Sequence, residues 1–162
     1  MASERRPNAR EDLLALIEDD HQHLEQGLAH LEALDPEDTP DEWVAWVAQL
    51  CRGLAVHSQL EHELLYPAAR QAIETPLTAV EAELEHAAIR LLVERLQTPA
   101  GDDEVAVAAL RVLARQLREH LQRERDELIP QLQRAELDWD ALLHATLARR
   151  EELTLDVREP AL

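Results

Sequence analysis

The chain predicts an all-α fold, an antiparallel up-down-up-down four-helix bundle with a short C-terminal helical extension. Three observations carry this. Ala, Leu, Glu, Gln and Arg dominate, all strong helix formers, and glycine is confined to Gly27, Gly53 and Gly101. Apolar residues recur at spacings of three and four along four long segments, the period of a helix buried on one face. The links between segments are short and carry Pro, so successive helices are antiparallel neighbours.

The first helix is expected over 11–34, with Asn8 and Glu11 as a capping box and Leu14, Ile17, Leu24, Leu28 and Leu31 as its apolar stripe. After the link DPEDTP, Thr39 is the N-cap, Pro40 the first helical residue and Glu42 the third, a standard start signal. That second helix runs towards Ile73 with Val47, Leu50, Leu54 and Leu64 on its stripe, and Pro67 predicts a kink or early end. Thr75 and Pro76 open the third helix, which carries Ile89, Val93 and Leu96 to about Gln97. The break TPAGDD precedes a fourth helix over 104–132, with Val107, Leu110, Leu113, Leu117 and Leu128. A weaker helical segment over 139–153 trails behind Asp138. The organisation read from this is a disordered N-terminus at 1–10, a bundle at 11–133 and a helical extension at 134–162.

At 162 residues, a single domain buries roughly 70% of its unfolded surface and needs no staple to fold. The one cysteine, Cys51, forms no internal disulfide and no thiolate zinc site. The N-terminal stretch MASERRPNARED has no apolar core and no run reaches membrane-spanning length, so a soluble, reducing, cytoplasmic setting is expected, with no membrane partner. A net charge of −18 repels phosphates and argues against nucleic acid. The absence of lysine removes Schiff-base chemistry and the phosphate-loop lysine. Neither Ser3 nor Ser58 sits in a nucleophile-elbow context.

The polar residues that interrupt the stripes are the informative ones. His21 fills the place between Ile17 and Leu24. His57 and Glu61 fill the two places between Leu54 and Leu64, and His120 and Glu124 those between Leu117 and Leu128. His86 precedes Ile89 by three. Each helix therefore turns one His inward, and the second and fourth add a Glu one turn away. A lone His-x-x-x-Glu is ordinarily a surface pair, and a lone His on an apolar face ordinarily a hydrogen-bonded core residue. Here four His and two Glu share one layer. Burying two uncompensated carboxylates costs several kcal/mol each, and no Arg on the stripes offsets it, so cations in the layer are the economical explanation. The segments HSQLEHELLYP from His57 and HLQRERDELIP from His120 repeat the motif 63 residues apart, and His21 to His86 spans 65. Two pseudo-symmetric halves suit two metal ions bridged by two carboxylates, a recognised use of a bundle core.

These residues, with DDH at Asp19–His21 and ELEH at Glu83–His86, resemble a hemerythrin-like domain of the HHE cation-binding type, over about Leu13 to Leu132. The resemblance implies a four-helix bundle holding a non-haem di-iron centre. It implies His21, His57, His86 and His120 as terminal ligands and Glu61 and Glu124 as bridges. Family activities include oxygen carriage, oxygen or iron sensing, nitric oxide binding, peroxide breakdown and iron-centre repair. The chain departs from the oxygen carriers at Ala82, where they place a fifth His; Glu83 is the candidate substitute, and Glu18 stands at the same offset from His21. His62, His23 and His30 are read as flanking or surface residues, and Tyr66 as either near the site or a packing residue.

His and carboxylate donors suit iron, with manganese or zinc as lesser alternatives. The expected function is a di-iron protein that binds or reacts with oxygen, hydrogen peroxide or nitric oxide; if it is an enzyme, it is a peroxide-consuming, catalase-like oxidoreductase. The alternatives are an iron- or redox-dependent sensor, a reversible oxygen or iron store, and a metal-free helical interaction protein. The oligomeric state is left open.

Overall fold

A computed structural model describes residues 8–97 and 103–158; residues 1–7 of the expected disordered N-terminus at 1–10, and the TPAGDD break except for its last residue, lie outside them. All regular elements among the described residues are helical. Helix α1 (Ala9–Ala33) starts two residues earlier than expected. The Asn8 side chain accepts from the Glu11 N–H at 3.5 Å, and its carbonyl from the Asp12 N–H at 2.9 Å. Helix α2 (Pro40–Leu60) follows. Thr39 occupies the N-cap position, but its hydroxyl donates back to the Asp35 carbonyl at 3.0 Å instead of capping.

At Pro67 the second helix neither ends nor breaks. It widens into a π turn at Glu61–Leu65, in which the Tyr66 N–H bonds the Glu61 carbonyl, and continues as α3 (Tyr66–Ala72). The same happens at the other copy of the motif. Helices α4 (Pro76–Gln97) and α5 (Asp103–Arg123) lead to a second π turn at Glu124–Leu128. There the Ile129 N–H bonds the Glu124 carbonyl, and α6 (Ile129–Arg134) continues past Pro130. Proline has no N–H, and in a straight α-helix its ring strikes the carbonyl four residues back. One extra residue in the turn moves that carbonyl aside, which accounts for the proline at the tenth place of both repeats. The wider turn also shifts the register, so Leu65 is buried in place of the expected Leu64, which is half-buried.

Helix α1 packs on α2 and α4 on α5, while α2–α4 and α1–α5 contacts close the bundle. Helix α7 (Trp139–Arg158) is longer than expected and lies against α1, α2 and the first π turn. Its start is capped by Asp138, which accepts from the Ala141 N–H at 3.0 Å. The apolar core has two parts. One is built on Leu28, Leu54, Leu113 and Leu117, with Trp43 and Trp46 packed at its edge. The other is built on Leu13, Leu65, Leu128 and Leu132, and is covered by Trp139, Leu142 and Leu143. Between them, in sequence and in space, runs a layer of buried His and Glu. No helix among the described residues is long and apolar enough to cross a membrane.

Candidate metal centre

Helices α1, α2, α4 and α5 each send one imidazole into this layer, and each π turn begins with the carboxylate facing it. His21, His57, Glu61, His86, His120 and Glu124 are all 0–3% exposed. They fall into two groups whose donor atoms lie within 4.8 Å of one another. The first holds His21, His57, Glu61 and Glu124, and the second Glu61, His86, His120 and Glu124. Both groups contain the same two carboxylates. Glu61 reaches His57 Nε2 at 3.3 Å on one side and His86 Nε2 at 3.0 Å on the other. Glu124 reaches His21 Nε2 at 3.2 Å and His120 Nε2 at 3.4 Å.

These approaches are close without being hydrogen bonds. Both ring nitrogens of His21 and His86, His57 Nε2, Glu61 Oε1 and Glu124 Oε2 are buried with no hydrogen-bond partner. Buried polar atoms are rarely left so, and no arginine is buried among the described residues. The layer calls for positive charge. Burial works against a charged His21, yet the Glu124 and Glu61 carboxylates outweigh it and raise the imidazole to about 9. Burial alone favours a protonated Glu61, but the His57 and His86 rings hold it well below the ordinary carboxylate range. Glu124 is also lowered, against burial and the Glu61 charge, by His21 and His120. Burial lowers His86, against the pull of the Glu61 carboxylate beside it. Divalent cations satisfy the same demand, and a donor set of four imidazoles and two carboxylates fits iron, manganese or zinc.

The surroundings repeat the pseudo-symmetry. The acid one place before each first-helix His grips the imidazole of the next helix. Asp20 Oδ2 lies 3.7 Å from His57 Nδ1, and Glu85 Oε2 lies 2.8 Å from His120 Nδ1. At hydrogen-bond distance, Glu85 fixes the His120 tautomer that turns Nε2 towards the centre, while Asp20 faces His57 Nδ1 as a nearby charge. Each acid is held by an arginine, Asp20 by Arg150 of α7 and Glu85 by Arg123. Burial raises Asp20, but His57 and Arg150 bring its carboxyl below the usual value. Sequence reading left these roles unassigned; the signal was the acid preceding His21 in DDH and His86 in ELEH.

Tyr66 belongs to the layer. Its hydroxyl lies 2.6 Å from Glu124 Oε1, 2.9 Å from Glu61 Oε2 and 3.4 Å from His120 Nε2. Burial and the two carboxylates push its pKa well above the ordinary phenol value, so it keeps its proton. Glu83 and Glu18, the expected substitutes for the missing His, are in neither group. Glu83 pairs with His62 at 3.0 Å and with Arg70, and Glu18 pairs with Arg125 at 3.0 Å. Three residues before an inward His is about 60° off its direction, which leaves both acids on the flank beside a cation. Ala82 is buried. His62, His23 and His144 are exposed, and His30 stacks on Trp46 with ring centroids 4.0 Å apart.

A cavity of about 20 Å3 reaches the layer from under α7. Asp20, His57, Glu61, Thr146 and Arg150 line it together with Leu13, Leu16, Ile17, Leu60 and Leu65. That is room for one water-sized molecule.

The family model for the hemerythrin HHE cation binding domain matches residues 12–132. No curated protein and no solved structure matches the chain. The match covers the four bundle helices and every member of the His and Glu layer; the chain belongs to the hemerythrin HHE cation-binding family, as a helical-bundle cation-binding protein.

Proposed function

We propose that the chain is a non-haem di-iron protein that reacts with a small oxidant, namely oxygen, hydrogen peroxide or nitric oxide. One observation carries this reading. Two His pairs on opposite sides share the same two buried carboxylates, a donor arrangement for two ions bridged by Glu61 and Glu124. His21 and His57 would hold one ion, and His86 and His120 the other. Iron, when bound, supplies redox chemistry and open coordination positions.

The chain's own residues supply the rest. Asp20 and Glu85 orient His57 and His120 through Nδ1. Tyr66 holds a proton 2.6 Å from Glu124 Oε1, in place to donate it to a small molecule bound in the layer. The cavity under α7, with Asp20, His57 and Glu61 in its wall, has room for one water-sized molecule, which favours a small ligand. Ala82 offers no donor where the oxygen carriers place a His, so the layer has six His and Glu donors and a position left over for a small ligand. That favours turnover of peroxide over reversible carriage.

Metal analysis of the full chain from iron-supplemented cells tests this, with about two ions per chain expected. A value near zero with the helical fold intact overturns it. A second reading, an iron-dependent regulatory module, is favoured by Arg150, which joins α7 through Asp20 to His57. Steady-state peroxide consumption separates the two, because a sensor binds its ligand without turning it over.

A further inference from the structure

Helix α4 is apolar on two opposite faces. Ala79, Ala82, His86 and Ile89 face the bundle. On the other side Leu77, Leu84 and Leu91 are 61%, 66% and 67% exposed. Their seven-residue spacing sets them in one line, about 21 Å long at 1.5 Å per residue. A line of exposed leucines on the side away from the core marks a face that asks for cover. Helix α7 does not provide it, because it lies against α1 and α2.

The residues along this line specify what does. Turn by turn they read Glu81, Leu84, Ala88, Leu91 and Arg95, at spacings of three, four, three and four. Glu81 and Arg95 are exposed, and among the described residues neither has an ion-pair or hydrogen-bond partner. The order is antisymmetric about Ala88, with an acid at one end, a base at the other and a leucine inside each.

We propose that α4 is the contact face of a homodimer, in which it packs antiparallel on α4 of a second copy and crosses it at Ala88. A two-fold axis there sets each Leu84 against Leu91 of the second copy. It also sets each Glu81 against Arg95 of the second copy, so both charges are answered twice over. A parallel mate would bring Glu81 to Glu81 and Arg95 to Arg95. The small Ala88 side chain lets the two backbones approach to ordinary helix-packing distance. A different protein gives no reason for the antisymmetric order; a second copy accounts for each residue in it. The contact buries on the order of 1,000 Å2 in total, the low end for specific interfaces, and is therefore a reversible dimer. The leucines supply the affinity, and the rim charges set the direction.

Sedimentation velocity on the full, metal-loaded chain, from micromolar to millimolar concentration, tests this. A monomer–dimer equilibrium is expected. Leu84→Gln should raise the dissociation constant at least about tenfold. Glu81→Arg should do the same by facing Arg with Arg, and adding Arg95→Glu to it should restore the wild-type value. All three positions are solvent-facing, and circular dichroism verifies that each variant keeps its helices. A wild-type chain that stays monomeric overturns the proposal, as does a dimer indifferent to Leu84→Gln. Failure of the double charge exchange to restore the dimer overturns the antiparallel pairing.

Discussion

Tyr66 and Glu124 stand 58 residues apart in sequence and 2.6 Å apart in space. The tyrosine follows the first π turn, and the glutamate begins the second. The same hydroxyl lies 2.9 Å from Glu61, so one protonated phenol joins the carboxylates that the two halves of the bundle contribute.

Tyr66→Phe should therefore leave metal content near the wild-type value and lower peroxide consumption at least about tenfold, the range for losing a positioned proton donor. Oxygen-electrode assays with parallel metal analysis check it. Unchanged turnover would make Tyr66 a packing residue.

Glu61→Ala should lower metal content and disrupt both ions at once, because Glu61 belongs to both donor groups. His62→Ala, next in sequence but exposed and paired with Glu83, should change metal content little. The reverse outcome would invalidate the assignment.

Asp20→Asn and Glu85→Gln remove the carboxylates that face His57 and His120. Each should weaken metal binding about 10–100-fold, the usual cost of losing the partner that orients a ligating imidazole. Competition with a coloured chelator measures this. Arg149→Met is the control: Arg149 pins α7 to Glu63 at 2.7 Å and touches neither acid. Equal losses in all three variants would mean that α7 docking, and not imidazole orientation, is what matters.

Removing metal should destabilise the fold without abolishing it, since two apolar clusters remain on either side of the layer. With free metal at 100 times its dissociation constant, the stabilisation lost is about 2.7 kcal/mol for each ion. That corresponds to a fall in Tm of roughly 5–10 °C per ion for a chain of this size. Thermal melts before and after chelation check it.

Cys51 is fully buried, and burial pushes its thiol up to about 11. Only the thiolate attacks alkylating reagents, so the native chain should label far more slowly than the denatured chain at pH 8. Comparable rates would reveal that α2 opens readily.

Local order was legible in the sequence for a physical reason. Helix period, Pro at helix starts and inward His or Glu are properties of neighbours three and four residues apart, and such neighbours share a face wherever the helix goes. Helices α1, α2, α4 and α5 and the six residues of the layer were accordingly expected in place, on stripes that the structure buries except at Leu14, Leu64, Val93 and Val107, which are half-buried. Leu64 was assigned inward because the expected helix had no π turn; only the conflict at Pro67, resolved by widening instead of breaking, turned Leu65 in. Glu83 and Glu18 looked available as donors until the fold set His62 and Arg125 beside them. The links from Tyr66 to Glu124 and from Arg150 to Asp20 join residues 58 and 130 positions apart. No helical period encodes such pairs. They exist because bundle packing and the docking of α7 bring separate helices within reach, and tertiary structure alone decides that.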